Sequence, residues 1–336
     1  LVIDAKFFST FSFVFYFGML ILLIGVLFFG SVVAGSKSWF KIGEFAIQPA
    51  EFAKFATALA MAKYLSILNI DMGRLKTKLL SLSILAIPAL LILLQNDTGS
   101  AIVDFSFVIV LFREGFSGLL LIVGIIMTLL FLVTLLISEV YVIAALVVFT
   151  FLILIFIRSV RKHWKAVIGI LVLSTAFVYS VNYSFENVLE PHQKKRINVL
   201  LGLEEDLRGA GYNVNQSKIA IGSGGLAGKG FRQGVLTRYN FVPEQSTDFI
   251  FCTVGEEWGF IGVTTVILLF LALLIRIILL AERQRSKFSR IYGYGVASIL
   301  FFHFAINIGM TVGLAPVVGI PLPFFSYGGS SLWAFT

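Results

Sequence analysis

The chain has a single cysteine, Cys252, in 336 residues, so an internal disulfide and a cysteine metal cage are both excluded. Histidine is nearly as scarce. His163, His192 and His303 are too scattered in sequence to read as a metal site, and His303 reads as a packed or hydrogen-bonded helix residue. No Ser-His-Asp constellation is present. Charged residues make up 13% of the chain against 58% hydrophobic residues, including 35 phenylalanines, a balance that would leave a soluble domain with more apolar surface than it could bury. Regular alternation of apolar and polar residues is missing too, which excludes a closed β-barrel. What remains is an all-α polytopic membrane helix bundle.

Apolar runs cover residues 7–34, 52–67, 79–95, 100–112, 117–138, 139–157, 164–183, 249–280 and 291–312, and a last one opens near 322. They predict nine spans and part of a tenth, in one transmembrane domain over 1–336. The chain starts without methionine and stops at Thr336 soon after the last run opens, so a natural protein longer at both ends is expected. The first run lacks the basic start and small-residue cleavage site of a signal peptide.

Basic residues gather in alternate short loops: Arg74, Lys76 and Lys78; Arg158, Arg161, Lys162 and Lys165; Arg283, Arg285, Lys287 and Arg290. The positive-inside rule makes those loops cytoplasmic. Counting spans from them puts residues 35–49, 95–99, 184–248 and 313–325 on the outer face. The 184–248 segment is the one long polar insertion, and it carries Lys194, Lys195, Arg196, Arg208, Lys218, Lys229, Arg232 and Arg238, with acids grouped at Glu204, Glu205 and Asp206. Basic residues that the topology does not call for predict an anionic ligand arriving from the outer leaflet. The alternative is a long loop that translocates regardless of charge.

Within the insertion, the run from Ile221 to Gly230 includes Gly222, Gly224, Gly225 and Gly228, whose backbone could approach a phosphate closely and donate amides to it. A nucleotide P-loop fails, because Gly230 follows Lys229 where a Ser or Thr is needed. The dinucleotide fingerprint fails as well, since no strand precedes the run. Pro243-Glu244-Gln245-Ser246-Thr247-Asp248 closes the insertion as an apolar helix begins, placing Asp248 at the mouth of a membrane helix. A helix-end charge favoured by the macrodipole is the bland reading of Asp248. Glu256 and Glu257, farther along that helix, read as partners for buried polar groups.

Gln48-Pro49-Ala50-Glu51-Phe52-Ala53-Lys54 opens a helix with proline in its first turn, and Glu51 and Lys54, three apart, can pair on one face. That pair fixes packing or serves function directly; the two readings stand level. Asp97 reads as a helix cap. The stretch from Pro316 to Ser331 cannot be a regular helix through its prolines, and irregular backbone at that depth predicts the wall of a polar cavity, with Pro323, Ser326, Tyr327, Gly328 and Gly329 in it.

Four blocks together resemble the SEDS family (shape, elongation, division and sporulation), closest to its elongation members. They are Gly35-Ser36-Lys37-Ser38-Trp39 with 48–54; Gly209-Ala210-Gly211-Tyr212 through 216–225 to Gly228-Lys229-Gly230; Pro243-Glu244 with Thr247-Asp248-Phe249; and Pro321-Leu322-Pro323 with Ser326-Tyr327-Gly328-Gly329-Ser330. The resemblance implies a peptidoglycan glycosyltransferase, a lipid-diphosphate-dependent hexosyltransferase that polymerises lipid II on the outer face of the bacterial cytoplasmic (inner) membrane, working with a class B penicillin-binding protein. It implies that Asp248 is essential and that Glu51 and Lys54 are sensitive. Two departures stand out: Ser38 stands where arginine is frequent, so one expected cationic contact is missing or supplied by Lys37 or Lys41, and residues 117–183 hold three apolar spans where better-known members have one.

Glycosyl transfer from a lipid diphosphate needs a base for the acceptor hydroxyl and stabilisation of the leaving group. Asp248 is the expected catalytic base, since partial desolvation at a membrane mouth makes a carboxylate a better base. Lys218, Lys229, Arg232, Gly224 and Gly225 are the expected diphosphate-binding residues, aided by Mg²⁺ or Mn²⁺. Asp248 could hold that metal instead. No nucleotide, flavin, haem or nucleic acid is expected. A lipid II flippase and a non-catalytic scaffold of the elongation machinery remain the alternatives.

Overall fold

The computed structural model describes residues 4–33, 35–43, 45–68, 70–187, 189, 191–201, 210–239 and 241–335. Its backbone divides into two compact units, residues 1–116 with 207–336, and residues 117–206.

In the first unit, α1 (Ala5–Phe29) opens on Asp4, whose side chain accepts from the Lys6 amide, and stops at Gly30. The apolar run reaches farther, but its tail turns into strand. β1 (Ser31–Val33), β2 (Ser36–Ile42) and β3 (Phe45–Ile47) make an antiparallel sheet in that order, pairing Ser31 with Trp39 and Phe40 with Ile47. Lys37 Nζ reaches back to the carbonyls of Leu27 and Phe28, at 2.7 and 3.2 Å, and so closes the C-terminus of α1. Its charge is thus engaged at a helix end rather than standing in for the arginine that Ser38 replaces.

The next helix, α2 (Pro49–Leu65), starts with Pro49 where a missing amide is harmless. Ala50, Ala53, Ala56, Ala58, Ala60 and Ala62 are all buried, so small side chains let neighbours approach on every side. After α3 (Leu75–Leu94), the span expected at 100–112 is split into α4 (Thr98–Asp104) and α5 (Phe107–Arg113). The amides of Phe105 and Ser106 bond three residues back, to Ile102 and Val103, which tightens the chain there into a 3₁₀-like turn.

The second unit holds α6 (Leu119–Leu136), α7 (Glu139–Phe156), α8 (Arg158–Arg161), α9 (Trp164–Asn187) and α10 (Pro191–Leu200). Asn182 on α9 donates to Glu139 on α7 at 3.0 Å. Glu204, Glu205, Asp206, Arg208 and Gly209 lie outside the described residues.

The first unit resumes with α11 (Ala210–Ser223), α12 (Val235–Arg238), α13 (Ile250–Glu282), α14 (Lys287–Thr311) and α15 (Gly329–Phe335). A Cβ on Gly295 would stand 3.2 Å from that of Ala58, so α14 and α2 touch nearly backbone to backbone. Met61, Leu65, Phe107, Leu111, Ile291 and Ile320 meet in the main apolar core.

Among the described residues, six helices are long and apolar enough to cross a membrane. Nine and part of a tenth were expected. The difference comes from α2, which has only 17 residues, from the split at α4 and α5, from the short described apolar stretch Leu121–Leu136, and from the last run. That last run stays irregular until Gly329, held off the helix by Pro321, Pro323 and a Phe324 with φ of 64°.

Candidate active site

Helix α13 is interrupted at Gly259, whose φ of 61° and ψ of −157° belong to a region that is essentially glycine's alone. Such a break strips carbonyls before it and amides after it of their helical partners. The glycine-rich run supplies the replacements. Lys229 and Gly230 donate their amides to the carbonyls of Glu256 and Glu257, both at 3.0 Å, while Phe260 and Ile261 donate theirs to Gly225 and Leu226 at 2.9 and 3.1 Å. The run is spliced into a broken membrane helix.

This differs from the phosphate cradle expected of Gly224 and Gly225. Their amides bond to the carbonyls of Ile221 and Gly222 at 3.3 and 3.4 Å, and a Cβ on Gly224 would strike the Gly255 carbonyl. Gly224 is small because another backbone passes there, whereas Gly225 has open space around it and a φ of 56°. Lys229 is engaged as well, with Nζ 2.8 Å from Glu256 Oε1. That fully buried carboxylate also accepts the amides of Leu236 and Thr237 at 3.0 and 2.9 Å, capping α12. Glu256 is therefore the partner of buried polar groups that its position in the sequence suggested.

Asp248 is half-buried in a turn just before α13, whose N-cap is Phe249. Its placement is set by main-chain hydrogen bonds from distant segments. Asn307 on α14 donates from Nδ2 to the carbonyls of Asp248 and Ile320, at 2.8 and 2.7 Å. Ser326 donates to the Thr247 carbonyl at 2.6 Å and accepts the Leu322 amide at 2.7 Å, and the Tyr327 amide donates to Ser246 at 2.8 Å. A Cβ on Gly319, where φ is 71°, would sit 3.3 Å from Asp248 Oδ2. The proline-rich segment thus braces the aspartate's turn from behind.

A second polar group is buried deeper. Lys54 Nζ lies 2.7 Å from Glu51 Oε1, with both side chains 3% exposed, and 2.9 Å from His303 Nε2. His303 Nδ1 is 3.1 Å from the Pro321 carbonyl, so the pair is linked to the segment that braces Asp248. The same corner gathers Gln48, which donates to Asp97 at 2.7 Å, and Asp97 itself, which caps α4 through the Ser100 amide. Blocks far apart in sequence, 48–54, 97, 247–248 and 319–330, therefore meet.

Beside the Asp248 turn opens a cleft of about 770 Å³ lined by Arg232, Thr237, Arg238, Gln245, Ser246, Ile250, Thr253 and Glu257. Two guanidinium groups and a carboxylate converge on it. Arg232 leans on the Phe231 ring and Arg238 on the Tyr239 ring, at 5.5 and 6.0 Å, which holds both planar heads while they stay exposed. Of the cations expected at a diphosphate, only Arg232 lines this cleft. Lys218 is exposed on α11, with Nζ packed against Gly313. Arg238 and Glu257 join the cleft although the sequence had given neither a role there; Arg238 had stood only among the insertion's basic residues. Pro323, Ser326, Tyr327, Gly328 and Gly329, expected as cavity wall, do not line it: Ser326 and Tyr327 hold the turn, and Gly328 and Gly329 lead into α15. Among the described residues no three His, Cys, Asp or Glu side chains stand close enough to cage a metal.

The family model for FtsW, RodA and SpoVE, described as cell cycle proteins, matches residues 1–150 and 129–336. The peptidoglycan glycosyltransferase RodA of Treponema pallidum is 35% identical over 339 aligned residues, covering 94% of this chain and 78% of that protein. The peptidoglycan glycosyltransferase MrdB of Escherichia coli K12 is 34% identical, covering 93% and 71%. Among solved structures, a chain of a peptidoglycan synthase complex that coordinates polymerization and crosslinking superposes with a TM-score of 0.68 at 26% identity, over 99% of this chain and 80% of that one. The rod shape determining protein RodA of Thermus thermophilus superposes with a TM-score of 0.59 at 25% identity, over 99% and 76%.

Proposed function

The chain belongs to the FtsW, RodA and SpoVE family, and from that premise we propose that it polymerises lipid II into glycan strands at the outer face of the cytoplasmic membrane. It is a membrane-embedded peptidoglycan glycosyltransferase serving cell shape. Lipid II as the donor, the outer face and the roles below are the proposal. One observation carries it: the turn that bears Asp248, held by hydrogen bonds to its main chain, adjoins a cleft with two exposed guanidinium groups, which Ser246 and Ile250 on either side of Asp248 help to line.

In this reading the acceptor sugar hydroxyl gives its proton to Asp248 as its oxygen attacks the donor's anomeric carbon. The bond from that carbon to the diphosphate breaks, and the lipid diphosphate leaves. Arg232 and Arg238 bind its oxygens, as planar forks suited to phosphate. Lys218 and Lys229, set against Gly313 and Glu256, act at most on the approach. Mg²⁺ or Mn²⁺ held by one carboxylate and substrate phosphates needs no protein cage, and Asp248 would hold it in place of acting as the base. Bound there, the ion would neutralise charge on the departing diphosphate. The partner is a class B penicillin-binding protein that cross-links the product, a reading supported by the polymerizing and crosslinking complex to which the fold is similar.

Asp248→Asn tests the assignment, because the turn is held through carbonyls that the substitution leaves in place. The variant is expected to melt like the wild type in detergent and to make no polymer from purified lipid II. Normal glycan chains from it would sink the proposal. Polymer from the detergent-solubilised wild type excludes the flippase and scaffold readings, since translocation has no meaning without a bilayer.

A further inference from the structure

We infer that His303 and Asn307 are positioning residues for Asp248, acting through a buried polar column on one face of α14. His303, Asn307 and Thr311 recur every fourth residue, which stacks them along the helix. They are 1%, 0% and 0% exposed. Each reaches a different element: His303 joins Lys54 on α2 to Pro321, Asn307 joins Asp248 to Ile320, and the Thr311 carbonyl accepts Ser217 of α11 at 2.9 Å. Leucines would fill the same space without the cost of burying polar groups. What leucines could not do at 303 and 307 is fix the direction of the Pro321, Asp248 and Ile320 carbonyls; at 311 the contact is made by the main chain.

The donors and acceptors assign themselves. An ammonium only donates, so His303 Nε2 accepts from Lys54 and Nδ1 carries the proton that goes to Pro321. Asn307 places both of its N–H bonds on the carbonyls of Asp248 and Ile320, which ties the aspartate's turn to the segment beginning at Gly319. That glycine abuts the Asp248 carboxylate. Releasing Pro321 from His303 therefore lets the wall behind the carboxylate move, although His303 meets no substrate. The inference rests on the reading of Asp248 as the reacting group.

The test uses the full chain in detergent with lipid II as substrate, measuring kcat and KM separately, together with melting temperature. H303F keeps a ring against Phe335 but loses both hydrogen bonds, whereas H303Q can accept from Lys54 and donate to Pro321. H303F is expected to lower kcat by about tenfold to a hundredfold, the scale of a misplacement of up to an ångström, with KM nearly unchanged and most of the rate restored in H303Q. Equal losses in H303F and H303Q, a change in KM alone, or wild-type kcat in H303F would overturn it. Should H303F fail to fold, N307S carries the same test, with reduced kcat at unchanged KM expected and wild-type kcat fatal. A wild type that makes no polymer would instead refute the reading of the site, and the inference with it.

Discussion

Gly259→Ala probes the splice between the glycine-rich run and α13. An alanine at a φ of 61° and ψ of −157° is strained by about 1–3 kcal/mol. Its Cβ would also collide with the amide of Gly228 and the carbonyl of Gly225. The backbones must then part, opening four hydrogen bonds that each contribute about 0.5–1.5 kcal/mol net. Strain and lost bonds together come to roughly 3–9 kcal/mol, concentrated at one junction. Hydrogen exchange in detergent reads this directly, because each 1.4 kcal/mol of opening free energy is about a tenfold change in protection. The amides of Lys229, Gly230, Phe260 and Ile261 are expected to exchange about a hundredfold faster or more. Gly222→Ala serves as the control: it lies in α11, its Cβ would meet nothing within 4 Å, and it should leave exchange at the junction unchanged. Wild-type protection of those four amides in Gly259→Ala would refute the splice.

Lys54→Met strands the buried Glu51 carboxylate and should cost about 3–5 kcal/mol, much of it recovered in Glu51→Leu with Lys54→Met; melting curves showing equal losses in both would count against a buried pair. Gly319→Ala adds strain of about 1–2 kcal/mol and pushes on Asp248, so kcat should fall while KM holds, and an unchanged kcat would speak against the carboxylate's role. Arg232→Ala and Arg238→Ala should each raise KM for lipid II by roughly tenfold or more, since a charged hydrogen bond contributes about 1.5–3 kcal/mol, with Lys218→Ala milder; the reverse order would move the diphosphate out of the cleft. Chelation should stop polymerisation until Mg²⁺ or Mn²⁺ is restored, and turnover that ignores a chelator would exclude a bridging ion.

The helix bundle was legible because burial in lipid leaves one dominant signal, long apolar runs broken by charge. Capping by Asp97, the Glu51 and Lys54 spacing and the role of Glu256 were legible too, since each depends on neighbours along a helix or on the rarity of buried charge. The small sheet at 31–47 was not, because β1 continues the apolar run of α1 without a break in composition, and β2 and β3 lie in a short polar stretch that reads as a loop. The splice at Gly259 left only ambiguous marks. Glycines that admit a phosphate and glycines that admit another backbone look alike in sequence, and the carbonyls they satisfy carry no residue-level signature. Arg238 was visible as a charge, but its place in the cleft depends on Glu256 capping α12, a contact across about twenty residues.

Every hydrogen bond described above as holding the Ser246–Asp248 turn falls on a main-chain carbonyl. The turn's own side chains at Ser246 and Thr247 can therefore drift over evolutionary time while the aspartate stays in place, so long as the path of the chain and the donors Asn307 and Ser326 are conserved. Length is the constrained quantity. One residue inserted or deleted between Ser246 and Asp248, or between Gly319 and Tyr327, shifts donors off their carbonyls and should be tolerated far less than most substitutions at the same sites. Natural variants of this turn are then expected to differ in residue identity at positions 246 and 247, at fixed spacing.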